Sequence, residues 1–316
     1  MNEFPKVLDS TMVTAFRACP EQFRREYIEH LRPAAPNVHL HAGAAFASGI
    51  EAARKAFYLD NASTEDAEQA GIVALTAAYG DFQAPEGSVK TCARMVDALR
   101  FYLQNYPLSR ENGYPLVLGD GKLAVECNAA VPLDTLHPVS GEPLLYCGRI
   151  DAALVWDGMV LLTDEKTASQ LGAQWASKWT LRNQFLGYMW LMRAFGVKAS
   201  GMLVRGIAVL AESRSTNAAR AAAKKLYDTQ NTIILYSEWM IERWKAQLEL
   251  TAKRMVRAWE TGEWEMDFGD ACTAYAGCAF KPLCEVQYPE NYIEGNYRQV
   301  VWEPLTRTER ESSNVN

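Results

Sequence analysis

Between Cys147 and Ser169 the chain reads CGRIDAALVWDGMVLLTDEKTAS, two apolar runs joined by Asp157-Gly158. An Asp-Gly pair between two β-forming runs signals a two-residue hairpin, because both turn positions need a positive φ that these residues tolerate. That loop length sets Trp156 opposite Met159, and counting back along both strands sets Asp151 opposite Asp164. Their Cβ atoms are then expected about 5 Å apart on one face of a sheet. Like charges at that separation repel, so the pair calls for a neutralising cation. The period of two puts Lys166 on the same face and turns the Glu165 side chain away, leaving the Glu165 backbone carbonyl within reach of an ion.

Two carboxylates and a lysine on one face suit phosphodiester hydrolysis. The acids offer hard oxygen ligands for Mg²⁺ or Mn²⁺, and the lysine can position a nucleophile or stabilise developing charge. Taken alone, Asp-x-Lys also fits an ordinary salt-bridged hairpin.

The rest of the chain divides by period. Helical spacing runs from Leu8 to about His30, with Ser10 as a candidate cap, then over about Ala42 to Leu59, Ala67 to Tyr79 and Val89 to Asn105. Short β-rich runs follow between Tyr114 and Thr167, read as a sheet of several antiparallel strands. A helix from about Thr180 to Phe195, an apolar strand around Gly201 to Leu210, an alanine-rich polar helix and a long helix from about Ser237 to Trp259 complete the pattern. The expectation is one α/β domain over residues 1–303 with a helical elaboration, followed by a polar, disordered tail at 304–316.

Composition limits the alternatives. The 316 residues, 49% hydrophobic, can bury a substantial core, and no apolar run approaches the length of a membrane span. The N-terminus lacks a basic region followed by an apolar stretch, so a cytoplasmic location is expected. The net charge of -6 carries no global signature of a nucleic-acid binder, which leaves phosphate contacts to local clusters such as Arg17, Arg24, Arg25 and Arg32. Those arginines also fit a solvated helix face. Cys92, Cys127 and Cys147 sit among apolar neighbours and read as small packed hydrophobes.

After the hairpin, RNQFLGYMW places Gln184 and Tyr188 four apart on one helix face, a spacing equally common in polar stripes. Trp175, Trp179 and Arg182 lie between hairpin and helix, where they fit either strand stacking and a phosphate contact or the core and surface. The combined order Gly148-x-x-Asp151, Asp164-x-Lys166-Thr167 and Gln184-x-x-x-Tyr188 resembles the RecB-like branch of the PD-(D/E)XK nucleases. That resemblance implies a restriction-endonuclease-like core sheet flanked by helices, with Asp151 and Asp164 binding metal, Lys166 catalytic, and Gln184, Tyr188 and Arg182 holding the substrate strand. The family usually carries G-x-x-x-H-x-x-L-E on a helix ahead of the sheet. Here the stretch is Gly43-Ala-Ala-Phe-Ala47-Ser-Gly-Ile-Glu51. Alanine stands at the histidine position, and Glu51, one turn on, is the remaining candidate for the catalytic and metal-binding set, with His41 a weaker one.

Cys19 in RACPEQFRREY, together with Cys272, Cys278 and Cys284, resembles the iron-sulfur staple of many RecB-like nucleases, including the AddB type and the CRISPR-adaptation nucleases. Four thiolates suit a 4Fe-4S cluster, with zinc the less favoured occupant. The resemblance therefore implies a metal-dependent DNA exonuclease serving recombination, repair or phage DNA processing, closed by a structural cluster. The alternative, motivated by Ala47, is a catalytically weakened DNA-binding or assembly subunit. These residues contain no G-x-x-x-x-G-K-[ST] loop, so a helicase or recombinase partner would be a separate protein.

Overall fold

The structure, a computed structural model, describes residues 3–35, 37–110, 113–211, 226–273 and 277–311. Val7–Leu8 (β1) leads into Ser10–Ala18 (α1) and Pro20–Phe23 (α2), which continues through a wider turn at Arg24–Ile28 to Leu31–Pro33 (β2). Val38–Arg54 (α3), Thr64–Tyr79 (α4) and Cys92–Asn105 (α5) form a helical block. The strands Tyr114–Pro115 (β3), Val125–Leu136 (β4), Pro143–Trp156 (β5) and Met159–Ala168 (β6) follow. After them come Ala173–Ser177 (α6), Asn183–Ala194 (α7), Gly201–Val209 (β7), Tyr227–Leu235 (β8) and Glu238–Thr261 (α8). Lys281–Cys284 (α9), Glu290–Asn296 (α10), Tyr297–Glu303 (β9) and Thr308–Glu311 (β10) end the described chain.

The α/β expectation holds: a mixed sheet is flanked by helices on both faces. Among the described residues it has seven strands in the order β1-β5-β6-β7-β8, with β3 and β4 also pairing β5. One face packs on α1, α7 and α8 through residues such as Val13, Phe16, Met189 and Leu248; the other packs on α3, α4 and α5 through Phe46, Leu75, Leu99 and Ile207.

The hairpin forms as the sequence requires. Asp157 and Gly158 take φ of 49° and 73°, and Trp156 faces Met159. The sheet is not purely antiparallel, because β1 pairs β5 and β6 pairs β7 in parallel. This topology opens the site. On one edge of β5, β1 holds Leu145 and Tyr146 while β6 holds Ala152 to Trp156, so residues 147–151 have no ladder partner on that edge. β4 covers the opposite edge throughout this stretch.

Several expectations need correction. The first helix is capped by Asp9, whose carboxylate accepts from the N–H groups of Thr11 and Met12, and not by Ser10. β8 follows β7 directly in the sheet, and the alanine-rich helix expected between them lies in 212–225, outside the described residues. The tail expected to be disordered from residue 304 continues into β10, which pairs with β9 from Thr308↔Glu303 to Glu311↔Val300. Backbone pairing needs no apolar side chains, and β9 supplies the anchor: Val300 is buried, and β9 itself pairs with β2. No described helix is long and apolar enough to cross a membrane.

Candidate functional site

A cavity of about 50 Å³ opens at the unpaired stretch of β5, lined by Asp151, Asp164, Lys166, Glu51, Gln184 and Tyr188 together with Ala47, Ile50, Arg54, Glu126, Arg149, Glu165 and Arg307. At roughly 15 Å³ per water, it has room for an ion and a few waters. The hairpin, the α3 glutamate and the Q-x-x-x-Y helix thus meet at one place. Arg182 does not line it; it is exposed at the head of α7, its guanidinium 5.8 Å from the Trp179 ring.

Asp151 and Asp164 lie one step beyond the last β5–β6 pair, Ala152↔Thr163, where the register would set them opposite each other. The β4–β5 register passes through Val125↔Ala152 and Cys127↔Ile150, which brings Glu126 alongside Asp151 on the other edge. Three carboxylates therefore stand in a row across β4, β5 and β6. Burial, then Asp164 and the other nearby acids, push Asp151 well above the usual carboxylate range. Burial also raises Asp164, even though Lys166 Nζ sits 2.5 Å from its Oδ2. Glu126 is pushed up to about 7, by burial first and against the opposing pull of Arg54 and Arg149. Its Oε2 is buried with no hydrogen-bond partner among the described residues, the Arg149 Nε contact at 3.4 Å being an ion pair only. Glu126 also holds a φ of 53°, a left-handed conformation that costs a non-glycine residue about 1–2 kcal/mol.

Glu165 is neutralised where Asp164 is not. Arg54 grips both of its oxygens, one at 2.8 Å, and Tyr102 donates to Oε1 at 3.0 Å. Burial would raise its carboxyl, but the Arg54 charge and hydrogen bonds hold it below the usual range.

Glu51 reaches the cavity with both oxygens engaged, Oε1 by Lys55 at 2.6 Å and Oε2 by Arg149 at 2.8 Å. Burial works against its ionisation, and these two cations outweigh that. Ala47 contributes only a methyl group. His41 bonds the Tyr79 carbonyl at 2.9 Å and packs on Phe82, which removes it from consideration as a ligand.

On the α7 side, Gln184 Nε2 donates to Tyr188 Oη at 2.7 Å. Gly148 makes the approach of Tyr188 feasible: a Cβ there would lie 2.9 Å from the Tyr188 ring. Burial, then Asp164 and Asp151, raise the Tyr188 phenol above its ordinary value, so it stays protonated. Trp175 and Trp179 are buried in the core rather than presented for stacking, and Trp175 fills the space beside Gly206.

The row of acids, the unpartnered oxygen and the raised carboxyls fit a hard divalent cation such as Mg²⁺ or Mn²⁺. Among the described residues no three ligands converge on one point, since Asp164 faces Lys166 and Glu51 faces Lys55 and Arg149. The amino groups occupy the carboxylates that an ion would take over.

The four cysteines singled out in the sequence share one neighbourhood. Cys19 Sγ accepts from the Asp267 N–H at 3.5 Å, Cys272 Sγ contacts the Asp267 carbonyl at 3.2 Å, and the Cys278 N–H donates to the Cys272 carbonyl at 3.1 Å. Burial raises the Cys278 and Cys284 thiols, and each is raised further by the neighbouring thiols, Cys19 included. A set of four soft donors this close fits an iron-sulfur cluster or zinc, although here too no three converge to coordination among the described residues.

Sequence reasoning missed Glu126, Arg149, Arg54 and Arg307. For Arg149 the signal was available, two residues before Asp151 on the same strand; the others depend on long-range packing. The arginines proposed as a phosphate cluster are largely committed elsewhere. Arg24 and Arg25 pair with Glu21 and Glu29, Arg32 pairs with Glu26, and Arg17 bonds Thr251 and Asn183.

The model of the PD-(D/E)XK nuclease superfamily matches residues 10–285. No curated protein matches the chain. A solved structure titled "Crystal structure of SSO0001" is 12% identical, with 91% of this chain and 90% of that chain covered and a TM-score of 0.35.

Proposed function

This chain belongs to the PD-(D/E)XK nuclease superfamily, and from that premise we propose that it is a metal-dependent DNA exonuclease acting in recombination, repair or phage DNA processing in the cytoplasm. The observation that carries this reading is the convergence of Asp151, Asp164 and Lys166 with Gln184 and Tyr188 in one cavity.

Asp151 and Asp164, with Glu126, Glu51 and the Glu165 carbonyl as further oxygen donors, would hold Mg²⁺ or Mn²⁺. Such an ion supplies Lewis acidity toward the phosphoryl oxygen and the attacking water. Lys166, released from Asp164, holds that water or steadies charge on the phosphate. Tyr188 accepts from Gln184 and keeps its own proton for a phosphate oxygen of the bound strand. The cysteines would carry a 4Fe-4S cluster that ties Cys19 to the C-terminal segment, a structural role. A helicase or recombinase partner would be a separate protein.

The test is degradation of end-labelled linear DNA by anaerobically purified protein with Mg²⁺ or Mn²⁺, comparing wild type with Asp164→Ala and including closed-circular DNA. Loss of linear DNA only, and only with wild type, supports the reading. Cleavage of the closed circle makes the enzyme an endonuclease. A second reading, a DNA-binding or assembly subunit of weakened activity, is favoured by Ala47 and by the engagement of both Glu51 oxygens. It predicts DNA binding with no degradation by either protein.

A further inference from the structure

We propose that Arg307, presented by the turn between β9 and β10, binds a backbone phosphate of the substrate strand where it enters the catalytic cavity; this rests on the nuclease reading above.

Arg307 lines the small cavity and also a groove of about 720 Å³. Arg149, Gln184 and Tyr188 likewise line both, so the two spaces join at these residues. The groove runs on past Arg32, Arg298, Tyr27 and Trp302. Arg32 and Arg298 are held by Glu26 and Glu309, so among the described arginines of the groove Arg307 is left for a phosphate, with the half-buried Trp302 ring on the same hairpin for a base. Arg307 therefore stands at the junction between the strand's path and the acids.

Its placement is fixed by the hairpin. Arg307 takes a φ of 55°, and its N–H donates to the Glu303 carbonyl at 2.8 Å. Trp302 Nε1 donates to Asp9 Oδ2 at 2.8 Å, which pins the hairpin to the start of α1. The side chain lines the cavity together with Asp151, Asp164, Glu126 and Tyr188.

The other cations of the cavity are already matched. Arg54 grips Glu165, Arg149 grips Glu51, and Lys166 grips Asp164. Arg307 makes no ion pair within 4 Å among the described residues; it shares the diffuse field of the acid row. A guanidinium cannot ligate a metal, and once the acids hold a cation their attraction for Arg307 falls. What remains is a planar donor fork at the mouth of the groove, a geometry that matches phosphate. Arg307 lies on the C-terminal hairpin, beyond residue 285, where the family match ends.

The test uses the full chain with Arg307→Asn, which tolerates the positive φ, and Arg307→Lys, which keeps the charge. Binding of a fluorescent single-stranded oligonucleotide is measured with Ca²⁺ over a range of salt, and cleavage of the same strand with Mn²⁺. Arg307→Asn is expected to weaken binding by about 10–100-fold, the range for a hydrogen bond to a charged group. It should also flatten the slope of log K against log salt by about 0.7, the increment for one phosphate on a single strand. Arg307→Lys should restore the slope with only part of the affinity, and the Mn²⁺ concentration for half-maximal cleavage should not rise in either variant. Wild-type affinity and slope in Arg307→Asn, or faster cleavage than wild type, would overturn the proposal, the latter marking Arg307 as a plug. Should Arg307→Asn lose its thermal transition, Arg307→Gly, which also tolerates the positive φ, takes its place: a slope flattened by about 0.7 supports the contact and a wild-type slope opposes it. The binding measurement needs no cleavage. If wild type and Asp164→Ala are equally inert on DNA, the nuclease reading fails while the salt slope still reports on Arg307.

Discussion

Replacing Glu126 by glutamine should stabilise the metal-free protein at alkaline pH and leave it nearly unchanged at pH 5. The carboxyl moves from 4.5 in the unfolded chain to about 7 in the folded one, with a side chain only 5% exposed. The raised group binds its proton more tightly when folded, so its contribution is most favourable below 4.5 and is lost as pH rises through about 7. At about 1.4 kcal/mol per pH unit, the penalty in wild type reaches about 3 kcal/mol at pH 8 and stays below about 1 kcal/mol at pH 5. Glutamine keeps the shape and the left-handed backbone and removes only the charge. For 316 residues unfolding with about 2 cal/mol/K each, 3 kcal/mol corresponds to about 5 °C in Tm. Thermal unfolding in EDTA from pH 5 to pH 8 provides the measurement. Added Mn²⁺ should raise the wild-type Tm more than that of Glu126→Gln and so close the gap. A constant offset between the two proteins at every pH would refute the electrostatic argument, as would a variant less stable than wild type at pH 8.

Gly148→Ala should displace the Tyr188 ring and cost about 1–3 kcal/mol as an overpacked contact, with a loss of nuclease activity larger than the loss of stability accounts for; activity at full folding is the check. Arg54→Ala should destabilise by about 3–5 kcal/mol, because it leaves the buried Glu165 carboxylate without its guanidinium, whereas Tyr102→Phe removes one donor and should cost about 1 kcal/mol; denaturant midpoints separate the two. On the proposed iron-sulfur reading, Cys278→Ser should lower iron and sulfide content in anaerobically purified protein together with its Tm, and zinc in place of iron in wild type would refute that reading.

What could be read from the chain was mainly local. The Asp157-Gly158 turn sets a register over a few residues, so Asp151, Asp164 and Lys166 reach one cavity, and the helical period likewise delivers Gln184 and Tyr188. The parallel pairing of β6 with β7 was not legible, because it depends on a crossover through α6 and α7. β8, with the sequence YDTQNTIIL, is polar over most of its length and carries no element expectation; β7 supplies its ladder. Glu126 sits in a strand whose register against β5 is set by distant residues. Arg307 falls in a stretch whose composition resembles a tail. The engagement of Arg25 by Glu21 was available in the sequence, since the two are four apart on one helical turn.

The neighbouring acids of β6 separate a matched charge from an unmatched one. Glu165 and Asp164 are adjacent in sequence and both deeply buried, yet the first receives a two-pronged guanidinium and a phenol while the second receives one part-exposed ammonium. If the fold needed only a neutral interior, a guanidinium gripping Asp151 and Asp164 would have served as Arg54 serves Glu165, whereas Arg307 lines the same cavity without an ion pair to either among the described residues. Instead the chain sets Glu126 beside them in a strained conformation and leaves one of its oxygens without a hydrogen bond. Local violations of this kind persist where the surrounding structure over-determines them and are concentrated at functional sites. The same row explains why removing charge should stabilise the resting protein and disable the loaded one. Repulsion among the carboxylates is relieved by a proton, by glutamine or by a divalent cation, and of the three only the cation supplies the chemistry of phosphodiester hydrolysis.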